Sequence, residues 1–254
     1  MIEVLNLACR AGDQEILRGV SFSVSSGIAG IIGPNGSGKS TLFNCMSGFF
    51  PVSSGHIRLL GSEVTHTPPA ERARLGLGRV FQNFGIFREL TVLDNMLLAL
   101  EGRDGILDVF VPFGKRRREQ RDIALGFLAR VKLEDRATAR AGELSGGQLR
   151  LLEIVRTVAF GARVILLDEP TAGVSPRMKD EVSELVVSMR DEGKVILIIE
   201  HDIDFIYGFC ERILVLNEGV VVLDGTPEQV VQSEGLREIY FGRGMSPRGS
   251  LSSL

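Results

Sequence analysis

The 254-residue chain has no tryptophan, only two tyrosines, three cysteines and three histidines, and no excess of either charge: 29 Lys and Arg stand against 32 Asp and Glu, a formal net charge of −3. Each shortage closes an option. Cys9, Cys45 and Cys210 are far apart, with no CxxC pair and no histidine cluster beside them. A disulfide framework and a Cys/His metal site are therefore excluded, and the three read as buried thiols of a reducing compartment. The mild negative charge argues against a nucleic-acid partner, which normally shows as a strongly basic face. No apolar run approaches the about 20 residues needed to span a bilayer. The opening Met-Ile-Glu-Val-Leu-Asn lacks the charged-then-apolar layout of a signal peptide, so the expectation is a soluble, cytoplasmic chain. What remains, 44% hydrophobic and 24% charged with 30 glycines, is globular and long enough for a sizeable core.

Three short runs, Gly27–Ile32, Arg163–Leu167 and Lys194–Ile199, are almost continuously apolar, as strands buried on both faces should be. Helical patterns lie between them at Lys39–Met46, Gln148–Ala159 and Pro176–Arg190. The alternation predicts an α/β fold around a parallel sheet. Residues 2–7 and 19–24 alternate in polarity as an antiparallel pair, and Ile213–Leu216 turns through Asn217-Glu218-Gly219 into Val220–Leu223. The stretch 83–160 is Arg- and Leu-rich with helical periodicity and reads as a helical insert. Residues 1–243 are expected to form one domain, with 244–254, rich in Gly, Ser and Pro, as a disordered tail.

Gly33-Pro34-Asn35-Gly36-Ser37-Gly38-Lys39-Ser40-Thr41 follows one of these strands and opens a helix. It fits G-x4-G-K-[ST], in which glycines let the backbone N–H groups curl around a phosphate. The lysine adds charge near the β/γ-phosphates, and the serine hydroxyl can reach Mg²⁺. The alternative is a Gly/Ser turn that happens to match. Arg163–Pro170 then ends an apolar strand in Asp168-Glu169, suited to holding a metal through water and to orienting a water for attack on the γ-phosphate. The alternative there is a carboxylate pair capping a helix. Leu144-Ser145-Gly146-Gly147-Gln148 leads into another helix and makes a second candidate anion site, or simply an N-cap.

Together these motifs resemble those of the ATP-binding subunits of ABC transporters, and the resemblance covers residues 2–243. It implies the P-loop ABC ATPase fold, with a mainly parallel sheet core, an antiparallel β subdomain and a helical subdomain, acting on ATP with Mg²⁺. By the same resemblance Glu169, His201 and Lys39 are catalytic, and residues 33–41 with Gln82 bind ATP. Ser40, Gln82 and Asp168 serve the metal, while Ser145, Gly146, Gly147 and Gln148 close over the ATP of a partner subunit. Two positions depart from the family pattern. Ala11 stands where an aromatic residue usually stacks the adenine, leaving Arg10 or Ile16 as substitutes. Ser175 stands where an Asp usually reaches across the dimer.

Arg79–Asn95, the insert at 101–122, Glu200-His201-Asp202 with Gly208–Ile213, and the ending Glu238–Gly242 are similar to the branched-chain amino-acid importer subfamily. Lipopolysaccharide-export and urea or amide systems are related alternatives, and a soluble cluster-assembly ATPase is the non-transport rival. The resemblance implies a homodimer, or a heterodimer with a paralogous ATPase, beneath integral membrane permeases on the cytoplasmic face of the membrane. An extracytoplasmic binding protein would be engaged only indirectly. Lys115–Arg118 reads as a solvated helix start or a contact with anionic lipid. Phe81, Phe84, Ile86, Phe87 and Leu90 read as a surface for a permease helix or as core of the insert.

Overall fold

Strands β3 (Ile28–Ile32), β7 (Val164–Asp168) and β8 (Val195–Ile199) are buried at every position. That is the environment of interior strands of a parallel sheet covered on both faces. The computed structural model describes residues 1–82, 85–104, 113–233, 235, 236 and 239. In it these strands form the middle of a six-stranded sheet with β6 (Leu77–Val80), β9 (Arg212–Asn217) and β10 (Val220–Gly225), in the order β10-β9-β3-β8-β7-β6. All neighbours run parallel except β9 and β10. Those two are joined by a two-residue turn, Glu218-Gly219, with φ of 46° and 80°, tighter than the Asn-Glu-Gly loop expected. A left-handed pair of this kind matches the twist of a hairpin.

A separate antiparallel sheet has the order β2-β1-β4-β5. Its first pair, β1 (Ile2–Ala11) and β2 (Gln14–Val24), extends well beyond residues 2–7 and 19–24. Strands β4 (Ser54–Leu59), β5 (Ser62–Glu63) and β6, and helix α2 (Pro69–Arg74), carry no strong pattern in the sequence.

The other helices are α1 (Lys39–Ser47), α3 (Val92–Asp104), α4 (Phe113–Ala129), α5 (Gly146–Ala159), α6 (Pro176–Asp191), α7 (Ile203–Phe209) and α8 (Pro227–Gln232). Helices α3, α4 and α5 pack on one another. Side chains of the central sheet alternate between two cores. Ile28, Ile165, Leu167, Ile196, Ile198 and Ile213 face the one shared with α3–α6. Ala29, Ile31, Val164, Leu166, Leu197 and Leu214 face the one shared with α1 and the antiparallel sheet. This is the expected P-loop ABC ATPase arrangement of parallel core, antiparallel sheet and helical group.

All three cysteines are buried and unpaired. Among the described residues no helix is long and apolar enough to cross a membrane. Lys115–Arg118 falls in the first turns of α4, where Arg118 is exposed; the side chains of residues 115–117, like Phe84 and the tail 244–254, lie outside the described residues. So does the ending Glu238–Gly242 apart from Ile239. Ile86 is buried in the helical core, whereas Phe87 is exposed, so these two neighbours divide between the alternatives of core and surface.

Candidate functional site

Residues 33–41 link β3 to α1, and glycine is required there for contact as well as for conformation. A Cβ on Gly33 would stand 2.0 Å from the Leu216 carbonyl oxygen, and Gly36 and Gly38 have φ of 79° and 105°. The loop is braced from behind by the β9–β10 turn, since the Gly219 amide donates to the Ser37 carbonyl at 3.0 Å. Lys39 is buried and its ammonium donates to the carbonyls of Gly33 (2.7 Å) and Pro34 (3.0 Å). Burial lowers its pKa from the ordinary lysine value, opposed by the attraction of Glu169 and Asp168. The Ser37 hydroxyl is buried without a hydrogen-bond partner, and the first turn of α1 holds no acidic residue. A buried cation and an uncontested helix N-terminus fit a bound phosphate chain.

The loop floors a cleft of about 320 Å³ lined by Gln14, Ile16, Asn35, Gly36, Gly38, Lys39, Ser40, Thr41, Glu169 and His201. Gly33, Pro34 and Ser37 lie behind its wall. Glu169 enters from the end of β7 in a left-handed conformation, φ 49°, which is unusual for a non-glycine residue. Its two oxygens are each engaged: Gln82 Nε2 donates to Oε2 at 2.9 Å, and His201 Nε2 lies 3.0 Å from Oε1. Glu169, Gln82 and His201 thus come together from three separate segments. Asp168, one residue earlier, accepts from Arg79 Nη2 at its Oδ2 (3.0 Å) and lies near enough to Lys39 to favour its charge. Ile16 lines the cleft. Arg10 instead turns to the Asp13 carbonyl at 3.2 Å, and Ala11 does not line the cleft.

Ser145–Gln148 are not part of this cleft. Ser145 and Gln148 form a capping box on α5: the Gln148 amide donates to Ser145 Oγ (3.3 Å) and the Ser145 amide donates to Gln148 Oε1 (3.0 Å). Gly147 is small for packing, since a Cβ there would meet Met178 of α6 at 2.6 Å. Ser145 and Gly146 remain exposed. Ser175 caps α6 by accepting from the Met178 amide at 3.4 Å.

Sequence reading missed four residues that hold the site. Arg79 bonds Asn44 Oδ1 (2.7 Å) as well as Asp168 and lies 4.5 Å from the centroid of the Phe81 ring. Glu200 is buried and accepts from both the amide (2.8 Å) and the hydroxyl (2.7 Å) of Thr171, tying the segment after Glu169 to the one bearing His201. Arg150 and Glu153 of α5 hold the backbone around Gln82. The only signals available were positional: Arg79 shortly before Phe81-Gln82, Glu200 directly before His201, and two opposite charges one turn apart on α5.

A glycine-rich phosphate loop at the head of a parallel sheet, with carboxylates at the end of the next strand but one, defines a P-loop nucleotide-binding protein. The sequence pattern of the family described as ABC transporter matches residues 17–172. Among curated relatives, a high-affinity branched-chain amino acid transport ATP-binding protein, BraF of Pseudomonas aeruginosa, is 36% identical over 95% of this chain and 98% of its own. The lipopolysaccharide export system ATP-binding protein LptB of Acidithiobacillus ferridurans is also 36% identical, over 89% of this chain and 90% of its own. Among solved structures, the ADP conformation of MJ1267, an ATP-binding cassette of an ABC transporter, aligns with a TM-score of 0.83 at 32% identity, covering 95% of this chain and 98% of that one. The chain belongs to the ABC transporter family, as one of its nucleotide-binding ATPase subunits.

Proposed function

We propose that this chain hydrolyses Mg-ATP to drive import of branched-chain or other amino acids through separate membrane permeases. The observation that carries the hydrolytic part is Glu169, aimed into the phosphate cleft and held between Gln82 and His201. Residues 33–41 hold the triphosphate, with the Lys39 amine exchanging loop carbonyls for phosphate oxygens. Glu169 accepts the proton of the attacking water, and His201 orients that carboxylate and faces the γ-phosphate. Ser40, Asp168 and Gln82 offer only oxygen donors to a metal, and among the described residues no group of three or more His, Cys, Asp or Glu gathers. Such a set suits a Mg²⁺ ion sharing phosphate oxygens and water. When bound, the ion neutralises charge on the β/γ-phosphates.

The exposed Ser145–Gly146 end of α5, outside the chain's own cleft, supports a head-to-tail dimer in which it meets the partner's ATP. Each chain would act as one ATPase domain over 1–243, with 83–160 as its helical insert. A groove of about 330 Å³ bordered by Leu77, Gly85, Phe87, Leu98, Arg156 and Phe160 is offered to a permease helix on the cytoplasmic face of the membrane. The similarity to BraF over nearly its whole length favours amino-acid cargo; the similarity to LptB supports lipopolysaccharide export as the second reading. Capture of tagged Glu169→Gln protein with ATP from native membranes separates them. Two multi-spanning permeases and a second ATPase are expected. Permeases of a lipopolysaccharide exporter would replace the cargo reading, and soluble partners alone would overturn transport.

A further inference from the structure

Parallel strands β7 and β8 pair as far as Asp168 and Ile199, and one more backbone bond follows, from the Glu169 amide to the Ile199 carbonyl at 2.9 Å. There the ladder stops, and Glu169 turns left-handed at φ 49°. Thr171 nevertheless stays buried, at 4% exposure, so its amide needs an acceptor inside the protein. Glu200, the first residue after β8 and equally buried, supplies it. Its Oε1 accepts from the Thr171 amide at 2.8 Å and from the Thr171 hydroxyl at 2.7 Å. Its Oε2 accepts from the His201 amide at 3.3 Å. A side-chain carboxylate thus continues the pairing of the two segments after their backbones have parted.

The turn that it braces is unfavourable by itself. A non-glycine residue at positive φ persists only where its surroundings hold it there. Glu169 is held on one side by the Ile199 carbonyl and on the other by the Ala172 amide, which donates to the Glu169 carbonyl at 3.2 Å. Without Glu200 the Thr171 amide is left unpaired in the middle of that turn, and the turn relaxes to find it an acceptor. The residue on the far side of His201 makes a second tie. Asp202 Oδ2 accepts from Lys179 of α6 at 2.6 Å, while its Oδ1 caps α7 by accepting from the Phe205 amide at 3.1 Å. His201 therefore sits between two carboxylates that both reach the chain following Glu169. Glu200 also lies near enough to Lys179 and Arg150 to favour their charge, so its own buried charge has cations in range.

We infer that Glu200 is a positioning residue for Glu169: by holding Thr171 it keeps the left-handed turn that aims the Glu169 carboxylate at His201 Nε2, 3.0 Å away. Glu200 does not line the cleft and acts only through its neighbours. The inference rests on the reading of Glu169 as the base.

The test measures single-turnover hydrolysis and equilibrium Mg-ATP binding on the full chain, for Glu200→Ala and Glu200→Gln, each alone and combined with Glu169→Gln. Glu200→Ala removes all three bonds. It should slow hydrolysis about 100-fold while nucleotide affinity stays within about 3-fold of wild type, the pattern of a misplaced catalytic group. Glu200→Gln keeps an oxygen for Thr171 but turns its NH₂ toward the His201 amide, so a smaller loss of about 10-fold is expected. This variant decides the matter if the alanine variant does not fold. In the Glu169→Gln background, where no base is left to position, neither change should slow the residual rate more than about 2-fold. The same loss repeated in that background would overturn the inference, because Glu200 would then be acting on something other than Glu169. So would a folded Glu200 variant that hydrolyses at the wild-type rate, or one that loses nucleotide affinity in proportion to rate. Wild-type turnover by Glu169→Gln alone would instead overturn the reading of Glu169 as base, on which the inference stands.

Discussion

Replacing Glu169 by Gln isolates the chemistry from the architecture. The carboxylate makes two contacts, with Gln82 Nε2 at 2.9 Å and with His201 Nε2 at 3.0 Å. A glutamine amide of the same shape can keep both, its oxygen accepting from Gln82 Nε2 and its NH₂ facing His201 Nε2. No hydrogen bond is lost, and the left-handed backbone at this position is no harder for Gln than for Glu. The change in folding stability should therefore stay below about 1 kcal/mol, the net scale of one hydrogen bond. Only the ability to take a proton disappears. That loss should slow hydrolysis about 10²–10⁴-fold, or about 2.7–5.5 kcal/mol on the barrier, while Mg-ATP affinity is retained. Steady-state phosphate release, a thermal melt and equilibrium nucleotide binding on the same preparation give the three readouts. Turnover within 10-fold of wild type by a folded, ATP-binding variant would refute the assignment of Glu169 as base.

Arg72→Met should destabilise the fold by about 3–5 kcal/mol in urea titrations, because a side chain 2% exposed donates to the carbonyls of Cys45 (2.6 Å), Met46 (2.8 Å), Thr65 (2.9 Å) and Thr67 (2.8 Å), and all four bonds go with it. Gly219→Ala places a Cβ 2.1 Å from the Ile16 carbonyl oxygen at φ 80°; a lower melting temperature and weaker Mg-ATP binding are expected together, since this turn braces the phosphate loop. Burial pushes the Cys210 thiol up to about 12 and raises that of Cys45 as well. Both should therefore resist iodoacetamide at pH 8 in the native protein and react once it is unfolded, as mass spectrometry would show.

The phosphate loop was legible because its chemistry is local: Gly33, Gly38 and Lys39 are spaced to wrap one anion and need no partner from elsewhere. The central strands were legible because burial on both faces leaves an unbroken apolar run, as in Val195–Ile199. Strands β4 to β6 were not, since they are short, carry Gly55, Arg58, Gly78 and Arg79, and owe their pairing to neighbours. The supporting charges were invisible for a related reason. Arg150 sits on a helix where arginine is ordinarily solvated, and only the tertiary fold brings the carbonyls of Phe81 and Gln82 to it. The Ser145-Gly-Gly-Gln148 turn forms the helix cap that its sequence allowed, a capping box whose serine stays exposed.

The alternation of side chains across the central sheet makes that sheet a partition. Leu42, Phe43 and Met46 of α1 belong to the core on one side, and Leu149, Leu151 and Ile154 of α5 to the core on the other. The phosphate loop and the Gln82 segment thus lie at one rim, where the strands end, and Arg79 joins the second to Asn44 of α1. A ligand lodged at that rim draws on both simultaneously.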